Sequence, residues 1–112
     1  MNNKLHILWT NDNVLTAEHM VLMYAPNSMK KKLWDEVTVI IWGATSKLVA
    51  ENTHIQKLIL DAQKAGVEFS GCQACANNLG TTQALLDLDI ELLLWGIPLT
   101  QLIKNRENLI TV

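Results

Sequence analysis

Apolar residues along this chain cluster in short runs separated by segments of helical period, and the alternation repeats from one end to the other. Residues 5–9 (Leu-His-Ile-Leu-Trp) are nearly all apolar and predict a first strand. Ala17, Met20, Val21 and Tyr24 follow at the i, i+3, i+4, i+7 spacing of a buried helix face. Asp12 or Asn13 is placed to cap that helix, and Pro26-Asn27 is expected to interrupt or end it. Residues 37–42 form a β-branched run ending at Gly43, a second strand, and a helical segment over 46–51 comes next. Ile55, Leu58, Ile59 and Ala62 repeat the helical spacing over 53–65, with Gly66 as the stop. A third strand is predicted over 67–70, a helix around 82–88 and a fourth strand over 90–95. Pro98 suits the first turn of a short helix through Lys104, and residues 109–112 suit a last edge strand.

Strands that are apolar throughout, rather than at every second residue, belong to a parallel sheet covered on both faces. The expected fold class is therefore α/β: residues 1–112 form one small doubly wound domain, with a mostly parallel sheet of four to five strands and helices on both faces.

Composition narrows the function classes. A net charge of −2 gives no electrostatic footprint for nucleic acid, and Lys30-Lys31-Lys32 reads as a solvated helix end. No apolar stretch reaches the ~18 residues needed to span a bilayer, and the N-terminus lacks signal-peptide character. No nucleic-acid or membrane partner is expected, and the expected location is cytoplasmic. The apolar fraction of 49% fits a protein that also buries surface between subunits.

The two cysteines, Cys72 and Cys75, form a C-x-x-C between the third strand and the helix after it. In a cytoplasmic protein such a pair is catalytic, redox-active or metal-binding before it is a structural disulfide. A thiol at a strand-to-helix junction lies near backbone N–H groups and the positive end of a helix dipole, which favour the thiolate. A zinc site needs four ligands, and His6, His19 and His54 are scattered, so neither metal nor cofactor is expected. Trp9, Trp42 and Trp95 each end a predicted strand, at the sheet edge where open α/β folds bind ligands. They are candidates for a ligand-binding rim with Gly43, Gly96 and Asn77. Closing the core and forming a subunit interface are the other readings.

The stretch Cys72-Gln-Ala-Cys75-Ala-Asn-Asn-Leu-Gly80, with the chain's length and element order, resembles the DsrE/DsrF-like family, which takes in the TusD and YchN-like proteins. Sulfur-relay members of that family carry a reactive cysteine eight residues before a glycine, as Cys72 stands before Gly80, and YchN-like members carry a C-x-x-C there. The resemblance implies a homo-oligomer, trimeric or hexameric. In it Cys72 accepts sulfane sulfur as a persulfide from a donor protein and passes it to an acceptor thiol, with Cys75 as resolving partner. Two features differ from the relay pattern: Thr81 replaces an aliphatic residue, and Ala76, Asn77 and Asn78 stand where basic residues often flank the cysteine. A thiolate here would lean on backbone amides. A reversible Cys72/Cys75 redox switch and a non-catalytic ligand-binding oligomer are the alternative readings.

Overall fold

A computed structural model describes residues 2–112. Five strands, β1 (Lys4–Trp9), β2 (Glu36–Ile41), β3 (Glu68–Cys72), β4 (Glu91–Leu93) and β5 (Leu109–Thr111), form one sheet in the order β4-β3-β2-β1-β5. Every ladder in it is parallel. The connections carry α1 (Val14–Thr16), α2 (Leu22–Lys30), α3 (Ala44–Glu51), α4 (Thr53–Lys64), α5 (Gln73–Leu79), α6 (Thr82–Asp87) and α7 (Gly96–Lys104). No helix among the described residues is long and apolar enough to cross a membrane.

The strand order decides how the helices divide between the two faces. From β1 to β4 the chain steps across the sheet in one direction, so right-handed crossovers lay α1 through α6 on one face. The return from β4 to β5 runs the other way and carries α7 across the opposite face. The side chains agree with this division. Leu5, Ile7, Trp9, Val37, Val39, Ile41 and Phe69 alternate onto the first face and share one core with Val21, Ile55, Ile59 and Leu85. Burying each such aliphatic chain stabilises the fold by roughly 1.5–3 kcal/mol. Ile40, Cys72 and Trp95 are also buried but lie outside that cluster. They belong to the second face, where α7 contributes no buried residue and Leu94, Ile97 and Ile103 are exposed.

The first helical stretch differs from expectation in two ways. Ala17–Val21 is a π turn, in which the Leu22 N–H bonds to Ala17 O. One residue is thereby inserted into the helical period: Ala17, Met20 and Val21 pack against the core as expected, but beyond them the inward face passes to Leu22, Ala25 and Ser28 instead of Tyr24. Tyr24 becomes exposed, and its hydroxyl accepts the Trp34 indole N–H at 3.0 Å. The helix also runs through Pro26 to Lys30 instead of ending there. Proline removes only the N–H that would have reached Leu22 O, and the ring itself is buried against the core.

Asn13 caps α1, its side chain accepting from the Thr16 N–H at 2.9 Å, and Asn52 caps α4 in the same way from Ile55 at 3.0 Å. Several boundaries move, that of β3 among them, which spans Glu68–Cys72 rather than 67–70. β4 is three residues rather than six, a helix begins at Ala44 instead of 46, and α5 starts directly after Cys72.

Candidate functional site

Cys72 is the last residue of β3 and the N-cap of α5. Its backbone is extended (φ −74°, ψ 113°), and its Sγ accepts the Cys75 N–H at 3.4 Å. Gly80 closes the same helix in the left-handed conformation (φ 69°). The eight-residue spacing from Cys72 to Gly80 is thus the length of one capped helix, which a glycine ends because a side chain there would be strained. Both sulfurs are free thiols.

The two differ in exposure, and the cysteine that the resemblance makes the acceptor is the more buried one. Cys72 is buried at 5% exposure, whereas Cys75 is half-exposed on the first turn of α5. Burial pushes the Cys72 thiol above its ordinary pKa, and a side-chain hydrogen bond with Cys75 adds to the rise. The Cys75 and Ala74 amides pull it down, as a helix start should, but by less. Every cause comes from burial or from α5's own first turn, with no charged side chain among them. A thiol that is desolvated before it is charged stays protonated. Cys72 is therefore not the exposed, thiolate-favouring sulfur expected at such a junction.

The three tryptophans separate in space. Trp9 is fully buried on the helix-covered face, and its indole N–H meets no protein acceptor. It closes the core and has no surface to offer a ligand. Trp95 is 7% exposed and donates its indole N–H to the Ser70 hydroxyl at 2.8 Å, on the Cys72 side of β3. Trp42 is half-buried. It follows the last β2–β3 pair, Ile41 with Gly71, and so lies level with Cys72 at the carboxyl edge. The edge carries two tryptophans beside Cys72 rather than a rim of three.

Gly43 takes φ +67° at the start of α3, which a side chain tolerates poorly. Gly96 opens α7 in unstrained backbone with nothing near its Cβ position. Asn77 accepts the Thr82 hydroxyl at 2.9 Å and ties α5 to α6. A cavity of about 460 Å3, lined by Met20, Met23, Tyr24 and Leu33 among others, belongs to the first helical stretch and the turn after it.

The polar pairings of Ser70 and Ser46 go unread in the sequence, which marks Thr81 only as a departure from the relay pattern. The Ser46 and Thr81 hydroxyls are buried and 2.6 Å apart, joining the first turn of α3 to the loop after α5. A serine inside an otherwise apolar strand run, as at Ser70, was the one available signal.

No protein-family model matches the chain, and no curated protein matches it. Among solved structures it is similar to BT1422, a conserved protein of unknown function from Bacteroides thetaiotaomicron. The two superpose with a TM-score of 0.96 at 40% identity, over 98% of this chain and 95% of that one. The chain belongs to the same family as BT1422. MTH1491 of Methanobacterium thermoautotrophicum, a protein of unknown function, superposes with a TM-score of 0.78. The match spans 99% of this chain and all of that one, at 11% identity, and establishes a shared fold. For the BT1422 family the fold is thus a parallel α/β sheet, with this chain's cysteine pair at its carboxyl edge.

Proposed function

We propose that this protein is a sulfur carrier of the DsrE/DsrF-like type. It takes up sulfane sulfur as a persulfide on the Cys72/Cys75 pair and hands it to a partner thiol. The observation that carries the reading is the pair itself: two free thiols, joined by the Cys75 N–H to Cys72 Sγ bond at 3.4 Å, at the carboxyl edge of a parallel sheet. A thiolate attacks polarised sulfur, and a second thiol on the same helical turn provides a way to release it.

Homo-oligomerisation, trimeric or hexameric, is part of the proposal. Its support on this chain is the second sheet face, where α7 buries nothing and Leu94 (71%), Ile97 (74%) and Ile103 (59%) stand exposed. Apolar side chains grouped in this way mark an interaction surface.

A persulfide donor followed by mass spectrometry tests the reading. The wild-type protein is expected to gain the mass of one sulfur atom on a cysteine. If neither cysteine does so while the circular dichroism stays native, the carrier reading is lost. Gel filtration at the mass of a single chain would remove the oligomer.

A reversible Cys72–Cys75 disulfide without sulfane chemistry is the second reading, favoured by the Cys75 N–H to Cys72 Sγ bond, which keeps two free thiols on one helical turn. It predicts a disulfide on mild oxidation and no uptake of sulfur.

A further inference from the structure

The thiol pair has a direction, and it runs from Cys75 to Cys72. Cys72 is the N-cap residue, with its sulfur folded under the first turn of α5, and only 5% of the residue meets solvent. A donor persulfide has to bring its outer sulfur into line with the attacking thiolate, which a capped, buried sulfur does not permit. Cys75 lies one turn further along the same helix and is half-exposed. Its backbone N–H donates to Cys72 Sγ at 3.4 Å, which holds the residue that carries the Cys75 sulfur against the buried thiol.

We propose that Cys75 is the residue that accepts sulfane sulfur, and that Cys72 is the internal thiol that discharges it as sulfide when no acceptor protein is docked. This rests on the carrier reading above and assigns each sulfur its step. In the first step the Cys75 thiolate attacks the outer sulfur of a donor persulfide, R–S–SH. The donor S–S bond breaks, R–S⁻ leaves, and a persulfide forms on Cys75. In the second step Cys72 attacks Sγ of Cys75. The bond from Cys75 Sγ to the outer sulfur breaks, the Cys72–Cys75 disulfide forms, and the departing hydrosulfide takes up the Cys72 proton to leave as hydrogen sulfide. The two cysteines lose two electrons and the sulfane sulfur gains them. A low-molecular-weight or protein dithiol then returns the pair to the reduced state.

The same environment that keeps Cys72 from meeting outside donors suits it to the second step. A protonated, desolvated thiol does not compete for the donor. Once deprotonated beside the Cys75 persulfide, a high-pKa sulfur is the stronger nucleophile, and hydrosulfide is a good leaving group. The attack falls on Sγ of Cys75, the sulfur of the residue whose backbone N–H already holds Cys72 Sγ.

Glutathione persulfide, with wild-type protein, Cys72→Ser and Cys75→Ser, tests the order. Both variants should fold, since serine is a strong N-cap and Cys75 is half-exposed; circular dichroism checks this. The expected results are sulfide release with disulfide formation by the wild type, and a stable persulfide on Cys75 without sulfide release in Cys72→Ser. Uptake in Cys75→Ser is expected to be slower by on the order of tenfold or more, as for a buried thiol against an accessible one. Uptake on Cys72 in Cys75→Ser at the wild-type rate would overturn the order. Wild-type protein that takes up sulfur but releases no sulfide would overturn the discharge step. Native protein that gains no sulfur in any of the three forms would instead remove the carrier reading itself.

Discussion

The indole N–H of Trp95 donates to the Ser70 hydroxyl at 2.8 Å, and that hydroxyl donates in turn to the Glu91 carbonyl at 3.1 Å. One side chain thus holds the residues after β4 onto β3, two positions from Cys72 on the same face. Ser70→Ala strands a buried indole donor and is expected to cost about 1–3 kcal/mol. Trp95→Phe removes the donor while keeping most of the ring, so it should cost less than Trp95→Ala, at ~3–5 kcal/mol. The Ser70→Ala/Trp95→Phe double variant should lose clearly less than the sum of the singles. Urea unfolding of the four proteins measures this, and simple additivity would mean the bond contributes nothing.

Ser46 and Thr81 make a similar but fully internal pair, with hydroxyls 2.6 Å apart. Ser46→Ala or Thr81→Val alone leaves a buried hydroxyl without that partner, at an expected ~1–3 kcal/mol each. Replacing both together should recover much of the loss, because two apolar groups need no partner. Thermal unfolding of the double variant below either single would contradict this.

Gly43 and Gly96 follow tryptophans in sequence but have different tasks. Gly43→Ala forces a side chain into φ +67° and is expected to cost about 1–3 kcal/mol, although the nearest atom to the added Cβ, Thr10 O at 3.9 Å, lies at an ordinary contact distance. Gly96→Ala meets nothing within 4 Å at the start of α7 and should be neutral or stabilising by up to ~1 kcal/mol. Denaturation midpoints of the two variants should move in different directions or by very different amounts.

The folded protein holds the Cys72 proton more tightly than the unfolded chain does, because burial raises its pKa. The stability this contributes is whole below the ordinary thiol range and declines as pH rises from there toward the raised folded value. Cys72→Ser should therefore flatten the alkaline limb of a stability profile, measured as urea midpoint against pH. Iodoacetamide should modify Cys75 well ahead of Cys72 in the native protein. Equal rates would mean that Cys72 is not shielded.

His6 behaves in the reverse sense. Desolvation is the largest influence on it and lowers its pKa, against smaller opposing effects from Glu107 and Glu36, and its Nδ1 is buried without a protein partner. Its contribution is whole above the ordinary histidine range and is lost as pH falls through the lowered folded value. An NMR titration of the imidazole should place its midpoint below that of a free histidine. A midpoint at or above it would show that the carboxylates outweigh burial.

Much of the fold is written locally. Continuous apolar runs belong to strands buried on both sides, and Ile55, Ile59 and Ala62 set the inward face of α4 where the helical period puts it. In the first helical stretch Ala17, Met20 and Val21 face the core as their spacing predicts, and only Tyr24, beyond the break in the period, does not. Nothing in the residue pattern announces the π turn at Ala17–Val21.

The sequence alone determined the alternation of strands and helices, the place of Cys72 and Cys75 at a strand-to-helix junction, and the glycine that ends the helix they open. These are properties of residues close together in the chain. Only the tertiary structure decided which side of the sheet each tryptophan takes and which cysteine meets solvent. The strand order sends α7 across one face by itself, so Trp95 and Cys72 are buried there while Trp9 is sealed beneath the other helices. Whether a thiol is desolvated depends on atoms that are distant in sequence, and that is why the pattern located the pair but did not rank the accessibility of its members.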